Sequence, residues 1–377
     1  MEKKYPKIYL AMDNCVLYKR WTTPDSWSKV IKDLGVNYIE ASADTELDPL
    51  YMGKEYLEDW IEAVKEAEEK HGVKVCNLYS GHGSYTTLGV AHPDKRVRDN
   101  MVENFIFPLI RAAAKLESGV GFFAHAFAND VLQSEESYNK YVDILLNELS
   151  KIAAYAKEQK CLDVGVEKMY TPHQYPWRNK DIYELLKEVK KRSGHNFYLT
   201  EDTGHHHNKF ETPSDETILK NNPEDIWLGT NKAYELAKAD KEGNLSEICK
   251  EIEKNPQLFS NPCDRSTYDT LRQFGCYSPI VHLQQTNGTV SAHLPFTEEE
   301  NKKGMIDGVS ILKALKESYD APLNSEMPER CDKIYLTLEL FSGTTSIMEK
   351  VLKDCKESVE YWRKFIPEDG MYLDELI

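Results

Sequence analysis

The sequence predicts an α/β protein, a TIM (β/α)8 barrel, from three observations. Eight short apolar runs alternate with segments of helical periodicity along 377 residues. Most runs are continuously apolar, which is typical of parallel strands covered by helices on both faces. Eight such units favour a closed barrel, and a chain of this length can form one as a single domain. An open doubly wound sheet is the alternative, but no G-x-G-x-x-G motif follows the first run to support a dinucleotide fold.

The first unit shows how the elements are recognised. An apolar run ends at Asp13, Thr23 and Pro24 mark a helix start, and Gly35 marks its end. The same reading along the chain predicts strands at 7–12, 36–39, 73–79, 119–125, 164–166, 197–200, 279–281 and 334–338. It predicts helices at 24–34, 55–70, 94–116, 137–159, 181–192, 231–239, 246–254, 298–318 and 345–365, the third kinked before Pro108 because proline lacks a backbone donor.

The regular alternation is interrupted between the sixth and seventh strands. Residues 203–278 contain no convincing strand and only the two helices predicted at 231–239 and 246–254. Such a long departure inside a compact domain is usually functional rather than a plain connection. We therefore predict one domain over 1–377, with 203–278 as an insertion that acts as a lid or an oligomer arm, and we expect a homo-oligomer.

Composition excludes several classes of partner. The net charge is -16, from 47 basic and 63 acidic residues, and no basic cluster interleaves with aromatics, so no nucleic-acid partner is expected. No apolar run approaches the ~20 residues that span a bilayer, so no membrane partner is expected. The eight cysteines form no C-x-x-C pair and the N-terminus has no apolar targeting segment. These features predict a soluble, cytoplasmic protein with reduced thiols.

Ionisable side chains follow the predicted strands with unusual regularity. In a TIM barrel the carboxyl ends of the strands form one rim, which is the active-site face. Each such residue alone could be a solvated loop residue, a salt-bridge partner or a satisfied core histidine. Together they argue for a shared cation, because a protein rarely buries unpaired charge repeatedly. In chain order they are Asp13, Glu40, His82, His125, Glu167, Asp202, His282 and Glu339.

Glu167, Asp202, His282 and Glu339 follow four successive predicted strands. Three carboxylates and one imidazole, without a thiolate, suit a hard divalent ion such as Mn²⁺ or Mg²⁺. Co²⁺ would also fit, and Zn²⁺ stays possible. The sequence therefore predicts that these four residues bind one divalent metal ion.

The motifs around these residues resemble those of the xylose isomerase-like TIM barrels. They are Val-Gly-Val-Glu167-Lys-Met-Tyr, Asp202-Thr-Gly-His205, Ile-Val-His282-Leu-Gln-Gln and Leu-Thr-Leu-Glu339-Leu-Phe. That superfamily contains sugar and sugar-phosphate isomerases and epimerases, including the tagatose 3-epimerases. The resemblance implies metal ligation by the four residues, proton exchange by Glu167 and Glu339, and a substrate contact from His205.

The chain also departs from the epimerases, which commonly carry an arginine a few residues after the seventh-strand histidine. Here that segment contains no arginine and reaches His293, which could take over a substrate contact. We expect His206 and His207 to be exposed neighbours of His205. The further candidates for substrate binding are Lys168, His125, His82, Glu40, Gln284, His293 and Trp21.

The predicted function is a metal-dependent sugar or sugar-phosphate isomerase or epimerase that transfers a proton at the carbon next to a metal-bound carbonyl. The alternatives are a metal-dependent lyase, a decarboxylase or dehydratase acting on an oxidised sugar acid, and an endonuclease IV-like repair enzyme. The last is disfavoured by the net charge of -16 and by Asn287 where a further acid is expected. Gly343–Ser346, with Lys19 and Arg20, could bind a substrate phosphate, although the segment is also an ordinary helix cap.

Overall fold

The computed structural model describes residues 4–17, 20–81, 89–207 and 209–377. Eight parallel strands follow one another around a barrel, and β1 pairs with both β8 and β2, which closes the sheet. The predicted TIM barrel is therefore confirmed. The strands are β1 (Lys7–Asp13), β2 (Tyr38–Ser42), β3 (Lys74–Ser80), β4 (Gly119–Phe122), β5 (Val164–Glu167), β6 (Tyr198–Asp202), β7 (Ile280–Leu283) and β8 (Lys333–Leu338), and a short β9 (Met371–Tyr372) lies antiparallel to the start of β1.

Helices surround the barrel, and the first shows how sequence sets their ends. The Thr23 hydroxyl accepts from Ser26 N–H, Pro24 fills the first turn, and Gly35 ends the helix with a left-handed φ of 93°. The helices are α1 (Pro24–Leu34), α2 (Ala43–Glu46), α3 (Pro49–His71), α4 (Lys95–Met101), α5 (Phe107–Lys115), α6 (Glu135–Gln159), α7 (Asn179–Ser193), α8 (Asp215–Lys220), α9 (Asn231–Glu253), α10 (Thr267–Phe274), α11 (Glu298–Asn301), α12 (Gly308–Asp320), α13 (Met348–Trp362) and α14 (Leu373–Leu376).

The helix predicted over 94–116 is irregular just before Pro108, where a kink was predicted. A π-helical segment, Val102–Ile106, separates α4 from α5, and Pro108 lies in the first turn of α5. Proline cannot donate a backbone hydrogen bond to the preceding turn, so the regular ladder is interrupted there.

The segment between β6 and β7 is partly regular. Helix α10 packs against α12 and buries Leu271 and Phe274, so it is the ordinary outer helix of the sixth unit, which the sequence analysis missed. The insertion between β6 and α10 is thus shorter than predicted and covers residues 203–266. It is tied to the loop after β5 by the Arg178 guanidinium, which donates to Pro256 O at 2.9 Å and pairs with Asp181 Oδ1 at 2.8 Å.

The main hydrophobic core lies between the barrel and its helices. All eight cysteines are free thiols. No helix in the described ranges combines the length and the apolar character that crossing a bilayer requires.

Candidate metal centre and active site

The four predicted ligands meet at the carboxyl-terminal rim of the barrel. Glu167 and Asp202 are the last residues of β5 and β6, His282 lies in β7, and Glu339 directly follows β8. Each offers one ligand atom, these atoms lie within 4.8 Å of one another, and all four residues are buried. Residues separated by up to 172 positions in the chain (339 − 167) therefore converge as one group.

The His282 imidazole is the centre of this group. Its Nδ1 lies 3.1 Å from Glu167 Oε1, 3.3 Å from Glu339 Oε2 and 3.9 Å from Asp202 Oδ2. On the other side of the ring, Nε2 lies 2.7 Å from Glu40 Oε1. Because an ionised carboxylate only accepts hydrogen bonds, Glu40 favours the tautomer with the proton on Nε2. Burial opposes protonation of His282, but the carboxylates of Glu339 and Glu40 raise its pKa well above the usual value, so without another cation Nδ1 is protonated too. A divalent cation between Nδ1 and the three carboxylates would displace that proton and face the Nδ1 lone pair, as in a metal-ligating histidine with a carboxylate behind it.

Glu40 is held in turn by polar groups inside the barrel. Asn77 Nδ2–H donates to Glu40 Oε2 at 2.6 Å, and both side chains are buried. Glycines on β4 make room for this amide, since a Cβ on Gly119 would lie 2.8 Å from Asn77 Oδ1 and one on Gly121 3.1 Å from Nδ2. Glu40 was predicted to bind substrate. Both of its carboxylate oxygens are engaged behind His282, which suits an orienting role instead.

The group places three buried carboxylates around one imidazole, and these surroundings shift the pKa values of the carboxyl groups. Burial raises the pKa of Asp202 to about 7, and burial also raises the pKa of Glu167. Burial opposes ionisation of Glu339 too, but the imidazoles of His282 and His293 hold its pKa well below the usual range. Glu339 Oε2 is buried and lies 3.3 Å from His282 Nδ1 and 3.2 Å from His293 Nδ1, without a well-formed hydrogen bond to any described residue. An oxygen-rich donor set with one imidazole and an orphaned carboxylate oxygen fits a divalent cation.

Asp202 and His293 are linked through Gln284. Gln284 Nε2–H donates to Asp202 Oδ1 at 2.8 Å, and Gln284 Oε1 accepts from His293 N–H at 2.6 Å. Gly204 N–H donates to the same Asp202 oxygen at 2.6 Å. A Cβ on Gly204 would lie 2.2 Å from the Gln284 side chain, so glycine is required for this approach.

His293 contacts the cluster from the loop after β7. Its backbone is left-handed, with a φ of 47°, and its ring stacks on Phe341 with centroids 3.8 Å apart. Its Nδ1 lies 3.2 Å from Glu339 Oε2. Burial opposes protonation of His293, but the Glu339 carboxylate raises its pKa to about 9. An imidazolium therefore faces Glu339 at neutral pH in the absence of another cation.

A cavity of about 360 Å³ opens beside the cluster. Among its described lining residues, Asp13, Asp44, Glu167 and Glu339 are acidic, and none is lysine or arginine. Tyr79 also lines it and donates its hydroxyl to Glu167 Oε2. The cavity wall is therefore strongly acidic beside the predicted metal ligands.

Comparison with known proteins identifies the family. The family model for the xylose isomerase-like TIM barrel matches residues 29–364. The chain belongs to this family. The family membership confirms the resemblance on which the sequence analysis depended. No sequence match to an individual curated protein is significant.

Solved structures with the same fold include three epimerase-related proteins. One is a D-tagatose 3-epimerase-like protein with 17% identity and a TM-score of 0.57, covering 96% of this chain and 97% of that one. Another is a D-psicose 3-epimerase with D-tagatose from Clostridium cellulolyticum H10, with 13% identity, a TM-score of 0.57 and coverage of 95% and 98%. The third is an L-ribulose 3-epimerase with 16% identity, a TM-score of 0.53 and coverage of 96% and 93%. At these identities the likeness shows the fold.

His205 lines the cavity of this family member, whereas its neighbour Lys168 lies behind it. His205 Nδ1 is 2.9 Å from Lys168 O, and because a carbonyl only accepts, this nitrogen carries the proton. Lys168 Nζ–H donates to His205 O at 2.8 Å and lies 3.1 Å from His206 Nδ1. Lys168 is thus placed to hold the His205 segment, and a direct contact with substrate is not supported.

The expectation that His206 and His207 are exposed is wrong, because His207 is half-buried and His206 is buried. The exposed fraction of His206 is only 4%, and its Nε2 lies 2.5 Å from Glu201 Oε1. Strand side chains alternate between faces, so Glu201 points away from the side of β6 that Asp202 occupies. A charged residue on that covered face requires a buried partner, and this was the signal the sequence analysis did not use.

The candidates His125 and Trp21 are not among the described residues that line the cavity. His125 is buried after β4, where its Nδ1 accepts from Val90 N–H at 3.3 Å, and Trp21 is half-buried against the hydrophobic core. His82 and Lys19 lie outside the described residues. Arg20 donates to Gly343 O at 3.0 Å and Ser346 O at 3.1 Å, so its guanidinium is engaged by the loop carbonyls rather than displayed to a phosphate.

Near its start, the β6–β7 segment reaches the cavity through His205. No described residue between 206 and 278 is among those that line it. The segment's predicted roles as a lid and as an oligomer arm both stay predictions.

Proposed function

We propose that this protein is a divalent-metal-dependent isomerase that epimerises or isomerises a free sugar by proton transfer at the carbon next to a carbonyl. One observation carries the proposal. Two buried glutamates, Glu167 and Glu339, belong to a group able to hold a cation and also line the adjoining cavity. The relatives known as D-psicose 3-epimerase and L-ribulose 3-epimerase support a sugar substrate for this fold.

The proposed metal ligands are Glu167 Oε1, His282 Nδ1, Glu339 Oε2 and an oxygen of Asp202. Mn²⁺ or Mg²⁺ fits this oxygen-rich set best, with Co²⁺ and Zn²⁺ as alternatives. When bound, such an ion would act as a Lewis acid on a ketose carbonyl and so acidify the neighbouring C–H.

Glu167 and Glu339 are the proposed acid and base. They belong to strands three positions apart and reach the cavity from different sides of the rim. One carboxylate removes the proton from the carbon next to the carbonyl, and the other returns a proton to the opposite face, which inverts that carbon. If the proton is instead taken from C1 of a 2-ketose and returned to the carbonyl carbon C2, the carbonyl moves to C1 and the product is the aldose.

His205 is the proposed hydrogen-bond partner of a sugar oxygen. With the proton on Nδ1 engaged by Lys168 O, its Nε2 is an acceptor. Burial lowers the pKa of His205 to about 4, so the ring stays neutral at physiological pH. A neutral acceptor suits a sugar hydroxyl.

The charge of the cavity favours an uncharged sugar over a sugar phosphate or a sugar acid. A phosphate or carboxylate group needs a cationic or amide-rich partner when it is taken out of water. The described lining supplies four carboxylates and no lysine or arginine, and its imidazolium, His293, is already opposed by the carboxylate of Glu339 at 3.2 Å. The same observation disfavours the lyase alternative, whose acid substrate would carry a carboxylate.

The test is an isotope-exchange screen. Ketopentoses, ketohexoses, their phosphates and the corresponding sugar acids are incubated with the protein and Mn²⁺ in D₂O, beside an EDTA-treated control, and are followed by NMR. We expect a new sugar isomer carrying deuterium next to the carbonyl, formed only from an uncharged ketose and only without EDTA. Glu167→Gln and Glu339→Gln should abolish exchange, while Glu349→Gln, at an exposed glutamate of α13, should not.

Each contrary result has a distinct meaning. A product without solvent deuterium would indicate a hydride shift instead of proton transfer. Turnover of phosphates in preference to free ketoses would contradict the charge argument. The absence of any new isomer across the panel would refute the proposed function.

A further inference from the structure

Asp13 is a cavity carboxylate outside the metal-ligand group. It is the last residue of β1, the strand that lies between β8 and β2. It pairs in register with Glu40, while Met12 pairs with Leu338, the residue before Glu339. Three adjacent strands therefore carry carboxylates at one level, at Glu339, Asp13 and Glu40, and Asp13 is on the middle strand.

The three carboxylates differ in their partners. Glu40 accepts from Asn77 and faces His282 Nε2, and Glu339 faces His282 and His293. Asp13 Oδ1 accepts from Cys15 N–H at 2.5 Å, and the Cys15 side chain also lies within hydrogen-bonding reach of this carboxyl group. The exposed fraction of Asp13 is 1%, yet it lines the cavity. Because Asp13 lines the cavity, its carboxyl group can also form a hydrogen bond with a molecule that is bound there.

We propose that Asp13 binds a hydroxyl group of the sugar at a carbon remote from the reacting one, and so helps to select the substrate. This inference rests on the proposed function. A hydroxyl both donates and accepts, so it matches a carboxyl group whether or not that group is ionised. Burial, with the charges of Glu40 and Glu339, raises the pKa of Asp13 well above its usual value, and a hydroxyl partner tolerates either state.

The competing interpretation is purely local. Asp13 accepts a hydrogen bond from the backbone two residues on, which is a common turn arrangement that needs no ligand. Asp48 makes the same bond, accepting from Leu50 N–H at 2.8 Å, but is not a residue of the cavity lining. Asp48→Asn is therefore a matched control for the loss of a turn carboxylate.

The experiment compares a ketose that the wild type converts with its monodeoxy analogues. Wild type, Asp13→Asn, Asp13→Ala and Asp48→Asn are assayed for kcat and KM, with Mn²⁺ affinity and Tm as folding controls. We expect the wild type to disfavour one deoxy analogue by about 3- to 100-fold in kcat/KM, the range covered by neutral and charged hydrogen bonds. Asp13→Asn should reduce that discrimination and Asp13→Ala should abolish it, chiefly through KM, whereas Asp48→Asn should retain it.

The outcomes separate this inference from the proposed function. Full discrimination against every deoxy analogue in a folded Asp13→Asn or Asp13→Ala protein would overturn the role of Asp13 while leaving the isomerase intact. If wild type converts no ketose at all, the proposed function fails and the role of Asp13 fails with it. Because asparagine keeps the acceptor for Cys15 N–H, Asp13→Asn tests the role of this carboxylate even if the alanine variant does not fold.

Discussion

Replacing Glu40 with glutamine tests whether the residue behind His282 sets the metal affinity. Glu40 Oε1 lies 2.7 Å from His282 Nε2, and both side chains are fully buried, so solvent and salt screen this contact little. In Glu40→Gln the amide has two orientations. With its NH₂ toward His282, it favours a proton on Nδ1, which blocks the lone pair directed at the metal. With its oxygen toward His282, it opposes its NH₂ to the NH₂ of Asn77.

Either orientation should weaken metal binding. Loss of a carboxylate behind a ligating histidine typically reduces affinity by about 10- to 100-fold, which corresponds to about 1.4 to 2.8 kcal/mol. The measurement is isothermal titration of the EDTA-stripped protein with Mn²⁺ at fixed pH. It requires no assumption about substrate.

A second buried glutamate provides the control. Glu46 accepts from Trp27 Nε1–H at 3.2 Å and Trp60 Nε1–H at 3.3 Å, under the helices beside β2. Glu46→Gln should lower Tm without changing the Kd for Mn²⁺. A folded Glu40→Gln protein that binds Mn²⁺ as tightly as wild type would refute the assignment of His282 Nδ1 as a ligand oriented by Glu40.

Three further predictions concern the same molecule. Tyr79→Phe removes the hydroxyl that donates a hydrogen bond to Glu167 Oε2. The variant should have a kcat about 10- to 100-fold below that of wild type, with little change in Tm. An unchanged kcat would show that this hydrogen bond does not position Glu167. Saturating Mn²⁺, at about 100 times Kd, should raise Tm by about 3 °C in wild type and not in Asp202→Asn, as measured by differential scanning fluorimetry. Burial, with the charge of Asp332, raises the pKa of Asp163 to about 6, so the stability from its protonated form is lost as the pH rises through about 6. The free energy of unfolding in urea should therefore change in favour of Asp163→Asn: relative to wild type, the variant should be about 1 to 3 kcal/mol more stable at pH 8 than it is at pH 4. The same difference between variant and wild type at both pH values would contradict the raised pKa of Asp163.

The barrel and the ligand group were predictable because their signals are local. A continuous apolar run that ends at Glu167, Asp202 or Glu339 can be read within a few residues, and the barrel then requires those ends to share one rim. The resemblance to the family added roles to the same positions. Helix α10 was missed because its eight residues include only two that bury a large apolar side chain, Leu271 and Phe274.

The supporting contacts were not predictable, because they join residues distant in the chain. Tyr79 reaches Glu167 across 88 positions, and Glu40 reaches His282 across 242. The residues next to Glu40 in the sequence do not show whether its carboxylate contacts the substrate or the Nε2 atom of a histidine. That distinction depends on the side-chain positions of Asn77 and His282 together, which only the closed barrel defines.

The two proposed catalytic glutamates are supported by different kinds of structure, and this has a consequence for specificity. Glu167 is held by Tyr79, which belongs to β3 inside the sheet. Glu339 is approached by His293, a loop residue with a left-handed backbone, stacked on Phe341, whose exposed fraction is 57%. A strand position in a packed barrel tolerates little movement, whereas a loop on a solvent-exposed ring can be remodelled without disturbing the core. Differences in substrate choice between this chain and its structural relatives should therefore concentrate in the β7 loop beside Glu339, where the chain has a histidine and no arginine, rather than at the β3–β5 side of the cavity.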